Sequence, residues 1–94
     1  MFDRILRRVR QAVRAGHYVM TTHGHDEMRA DRLTVFDVEH VLLHGAVVER
    51  QRDRNTGEWK YLVQGPTLAG ADAVVVTKLG VGGKVVIITV YLLP

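Results

Sequence analysis

Histidine is the side chain best placed to move protons near neutral pH, and all five histidines of this chain fall between His17 and His44. His23-x-His25 stands beside Asp26 and Glu27, imidazoles and carboxylates of the kind that suit zinc, nickel or iron. No second ligand cluster follows downstream, so no cofactor is expected, and a metal site at His23, His25 and Glu27 is kept only as the alternative. If this stretch is helical, His23, Glu27 and Asp31 repeat one turn apart and form a polar seam. The plain reading of His23 is a ring that hydrogen-bonds a carbonyl or carboxylate and fixes a helix start. The functional reading is a proton-transfer group. His40 and His44 share the same spacing but project away from Val38 and Leu42, as a solvent-facing pair.

Several chemistries are excluded outright. The chain has no cysteine and no serine, which removes disulfides, thiolate sites and a serine nucleophile. Gly80-Val81-Gly82-Gly83 joins two β-prone runs and opens no helix, so neither phosphate-binding glycine motif applies. Trp59 and Tyr61 alternate onto one strand face, where they either stack bases or pack the sheet. The net charge of +3 is carried by the first twenty residues, with five arginines against Asp3. These arginines are either a solvated helix face or a stripe that follows phosphates.

Ninety-four residues make one domain, 1–94. No apolar run approaches the length of a membrane span, and no apolar stretch follows the first arginines, so a cytoplasmic protein without membrane contact is expected. Phe2, Ile5, Leu6, Val9, Ala12 and Val13 form a helical stripe over about 2–15, with Gly16 as its stop. Tyr18 to Thr22 is β-prone and leads into a helix from His23 to Asp31, weakened by Gly24. Thr34 and Asp37 form a capping-box signature for a helix over 34–44, ended by Gly45. From Ala46 the period becomes 2, with strands at 46–51, 59–64, 73–79 and 84–92; Gly65-Pro66 is read as a strand break. This is an α+β domain, with N-terminal helices on one face of a roughly four-stranded antiparallel sheet.

Centring the last turn on Gly80 to Gly83 places Leu79 opposite Lys84, Val76 opposite Ile87, Val74 opposite Thr89 and Asp72 opposite Tyr91. Ala73, Val75, Thr77, Val86, Ile88 and Val90 then make the apolar face that receives the helices. Asp72, Lys78, Thr89 and Tyr91 share the other face, which lines a shallow groove.

Four features occur in one order: Thr22-His23 with Glu27-Met28 and Asp31; Asp37-Val38 with Leu42 and Gly45; Tyr61-Leu62-Val63-Gln64-Gly65; and Val86 to Tyr91 close to Pro94. Over residues 18–94 the chain resembles the bacterial family called domain of unknown function 4258, with the basic helix 1–16 outside that core. The resemblance implies a compact relative of RelE-type toxin ribonucleases, a RelE- or barnase-like toxin fold. Where many members carry an arginine, this chain has Glu27 or Asp31. Two functions are therefore carried forward. One is a metal-independent endoribonuclease of toxin–antitoxin type, with RNA as substrate and an antitoxin protein as partner. In that enzyme His23 is the base or acid and Lys78 or Arg50 the phosphate clamp. Tyr91 or Tyr61 is a second proton donor, with Thr89 beside it on the groove face. The other is a non-catalytic binding module that pairs with a partner protein or with itself as a homodimer.

Overall fold

The computed structural model describes residues 2–94. Three helices, α1 (Asp3–Arg14), α2 (Thr22–Ala30) and α3 (Val35–His44), meet five strands. These are β1 (Tyr18–Met20), β2 (Ala46–Arg52), β3 (Trp59–Pro66), β4 (Asp72–Leu79) and β5 (Val85–Leu92). The α+β layout matches expectation, with one correction. Tyr18–Met20 is a true strand and pairs parallel with β5, so the sheet is mixed, in the order β1-β5-β4-β3-β2. The remaining neighbours are antiparallel.

Local chemistry sets each helix. In α1, Val9, Ala12 and Val13 are buried, and Gly16 takes the left-handed φ of +69° that ends it. Arg10 departs from the solvated arc, because its guanidinium donates to the carbonyls of Leu42 (3.3 Å) and Gly45 (2.7 Å). That ties α1 to the end of α3. The Thr34–Asp37 capping box at the start of α3 is present in full. Gly24, which weakens α2, lets that helix press on the sheet; a Cβ there would lie 3.1 Å from the Ile88 carbonyl oxygen. The Thr21 hydroxyl caps α2 through the Gly24 N–H and donates to that same carbonyl at 3.1 Å.

Gly65-Pro66 does not break β3. Both residues stay in register, opposite Ala73 and Asp72. Proline is tolerated at a strand end, and a Cβ on Gly65 would come within 2.6 Å of the Gly45 Cα.

The last hairpin departs from the expected register. Leu79 pairs with Val85, Lys78 with Val86 and Thr77 with Ile87, a slip of one residue. An irregularity then leaves Ile88 unpaired, and Val76 pairs with Thr89. The slip turns Val85 and Ile87 into the core, and the bulge restores Val90 to the same side. Val86 and Ile88, expected in the core, lie half-buried on the opposite face. Ala73, Val75 and Thr77 are buried as expected.

The main core joins Val9, Met28, Val38, Val41 and Leu42 of the helices to Val63, Val75, Val85, Ile87 and Val90 of the sheet. The other face carries a smaller buried cluster of Leu62, Val74 and Val76, against which Tyr91 and Leu93 pack.

Candidate active site

Strand alternation puts Trp59 and Tyr61 toward the helices, which sends Lys60 to the open face. One step beyond Tyr61–Thr77, the last pair of the β3–β4 ladder, Lys60 and Lys78 come to line one groove. The β2–β3 turn folds over them. Together they enclose a groove of about 230 Å³ lined by Thr21, Asp53, Thr56, Glu58, Lys60, Lys78, Val86 and Ile88.

The turn is held by its own hydrogen bonds. Asp53 Oδ1 accepts from the Asn55 (2.8 Å) and Thr56 (3.1 Å) N–H groups, and the Glu58 N–H donates to the Thr56 hydroxyl (3.2 Å). These amides, Thr56 foremost, hold the Asp53 carboxyl below its ordinary range. Lys78 Nζ lies 3.2 Å from Glu58 Oε1, and Lys60 Nζ lies 4.0 Å from Asp53 Oδ2. The groove therefore presents two ammonium groups, each facing a carboxylate, above an apolar floor of Val86 and Ile88. Such a site can hold a phosphate on the cations while a carboxylate accepts a proton.

The residues expected to act together are divided between the two faces. Lys78 lines the groove, and Thr89 and Tyr91 share its face, with Tyr91 packed on the Leu62–Val74–Val76 cluster. Arg50 and Tyr61 point to the helical side. There the Arg50 guanidinium carbon sits 4.1 Å from the Trp59 ring centroid, and Tyr61 meets Phe2 edge-on with centroids 6.4 Å apart.

His23 is exposed in the first turn of α2, two residues beyond Thr21, and is not among the groove's lining residues. Its Nε2 lies 3.0 Å from Glu27 Oε1. That oxygen is shielded from solvent and accepts no hydrogen bond, so the contact is a close approach without alignment. Asp31 leaves the seam altogether, because its carboxylate accepts from the Leu92 N–H at 3.0 Å. Among the described residues no three His, Cys, Asp or Glu side chains come together to hold a metal ion.

His40 is also not simply solvent-facing. Its Nδ1 lies 2.7 Å from the Pro66 carbonyl oxygen, and its ring is half-buried. Tyr18, read in the sequence only as β-prone, donates to Glu39; burial and that carboxylate push its hydroxyl up to about 12.

Glu58, Lys60, Asp53 and Thr21 were missed as groove residues. The alternation of Trp59 and Tyr61 implied that Lys60 faces away from them; that this is also the face of Lys78 follows from the β3–β4 register. The fold-back of the turn had no such signal.

No helix of the described residues is long and apolar enough to cross a membrane. No curated protein and no solved structure matches the chain. A family model does match over residues 20–92, from the last residue of β1 to the end of β5, leaving the basic helix α1 outside. On that match the chain belongs to the family described as "Domain of unknown function (DUF4258)".

Proposed function

We propose that the protein is a metal-independent endoribonuclease of toxin type that works in the groove on the open sheet face. The observation that carries this reading is that Lys60 and Lys78 line one groove, with Glu58 3.2 Å from the second of them. An RNA phosphate entering the groove takes the lysines from their carboxylates. Glu58, so released, accepts the 2′-hydroxyl proton as that oxygen attacks phosphorus. The 5′-oxygen leaves with a proton from a lysine or from His23, and a 2′,3′-cyclic phosphate remains. Stabilising the developing charge with fixed cations is worth about 10²–10³ in rate per donor in comparable sites. Thr89 and Tyr91 extend the same face along β5 and offer contacts to the neighbouring nucleotide. Arg50 and Tyr61, on the helical side, take no part in this chemistry.

A non-catalytic module that binds an antitoxin-like partner or its own copy is the second reading. The self-neutralised groove, with Lys78 on Glu58 and Lys60 near Asp53, favours it. Incubating the folded, partner-free protein with mixed cellular RNA, with and without EDTA, separates the two. Cleavage unaffected by EDTA is the expected result. Intact RNA in both tubes leaves the binding module standing.

A further inference from the structure

We propose that His40 and His44 form a chelating pair for a first-row divalent cation such as Zn²⁺, Ni²⁺ or Cu²⁺. The pair lies on α3 and is independent of the groove and of the ribonuclease reading. The two residues are one helical turn apart, with ring centroids separated by 4.4 Å and planes tilted by 42°. A carbonyl oxygen can only accept, so the 2.7 Å contact between His40 Nδ1 and the Pro66 carbonyl places the proton on Nδ1. The Nε2 lone pair is thereby left free. A carbonyl behind the second nitrogen is the arrangement that fixes tautomer and ring orientation in metal-bound histidines. His44 ends α3, is exposed, and makes no side-chain hydrogen bond among the described residues.

The neighbouring charged groups are already committed. Asp37 accepts from Thr34 (2.8 Å) and Leu68 (3.0 Å), Glu39 receives the Tyr18 hydroxyl, and Arg10 donates to Leu42 and Gly45. Among the described residues no third His, Cys, Asp or Glu joins the two imidazoles, and water completes the ion's shell. Neutral imidazole selects the later first-row cations over Mg²⁺ or Ca²⁺. Because the helix pre-sets the spacing, the second ring acts at high effective concentration, and losing it weakens binding by about tenfold or more.

The test uses the full chain, free of any histidine tag, and Zn²⁺ alone. Zn²⁺ should raise Tm, since the paired site exists only in the folded state, and should shift the ring-nitrogen NMR signals of His40 and His44. His44→Gln, at an exposed position, should abolish the Tm rise, and His40→Gln should do the same. His23→Gln should retain it. A wild-type Tm indifferent to Zn²⁺ would overturn the proposal. So would a rise that survives His44→Gln, or ring shifts confined to His23 and His25.

Discussion

The Asp31 carboxylate accepts the Leu92 backbone N–H at 3.0 Å, joining the end of α2 to the end of β5. β1 covers only Val85 to Ile87 of that strand edge. Beyond it, α2 supplies side chains in place of a neighbouring strand: the Thr21 hydroxyl for the Ile88 carbonyl and Asp31 for the Leu92 amide. Asp31→Ala should cost about 1–3 kcal/mol, the penalty of a part-buried donor left unpaired. Asp31→Asn, which keeps an acceptor, should cost less. Urea denaturation of both variants measures the difference; equal losses would show that the bond carries nothing.

The register slip in the last hairpin makes neighbouring isoleucines unequal. Ile87 is fully buried beneath the helices, whereas Ile88 sits at the bulge on the open face. Ile87→Ala should lose about 2–5 kcal/mol, and Ile88→Ala should lose clearly less. The reverse order in chemical denaturation would restore the unslipped register.

At the groove, Lys78→Ala should weaken RNA binding and reduce the dependence of log affinity on log salt by about 0.7, one phosphate contact on a single strand. Glu58→Gln should slow cleavage by about 10²–10⁴ if its carboxylate takes the proton, with RNA binding kept or improved. His23→Ala discriminates between proton donors. A similar loss makes His23 the acid, and an unchanged rate leaves that role to a lysine. Binding isotherms across a salt series, with single-turnover cleavage, read all three.

The Asp37 carboxyl is held below its ordinary value, first by the Thr34 N–H and then by that of Leu68. A depressed folded pKa stabilises the native state above the unfolded value of about 3.9, and that contribution disappears as pH falls through the lower, folded value. Asp37→Asn should therefore be less stable than wild type near neutrality. The gap should close on acidification through the carboxylate range. A gap independent of pH in paired melts would assign the effect to packing.

Much of this architecture was legible because its signals are local. The Thr34–Asp37 box, the α1 stripe and Gly16 involve residues within a turn or two of each other, and each stands where its spacing placed it. The failures were non-local. Three residues, Tyr18 to Met20, are too few to show a period, and they become a strand only because β5 offers an edge. Nothing in Val85 to Leu92 marks Ile88 as the unpaired residue, since every side chain near it suits either face. The groove depends on how far the Asp53–Glu58 turn bends over the sheet, which its own residues determine only together with Lys60 and Lys78. Arg50 and Tyr61 were grouped with Lys78 by chemistry, but the alternation of β3 separates them by the thickness of the sheet.

The place of β5 between β1 and β4 has a consequence for how the molecule comes into being. The last of the described elements is an interior strand, and the partner on its outer edge is made almost seventy residues before it. Until Val85 to Leu92 leaves the ribosome, β1 has no neighbour, α2 has no edge to cover, and the helices lack half of the sheet core. A nascent chain reaching only Leu79 holds a β2–β3–β4 meander with an uncovered flank. Closure of such distant contacts is slow compared with local pairing. Folding of the sheet thus waits for β5, and the groove, whose floor is Val86 and Ile88, cannot form before that strand has been made.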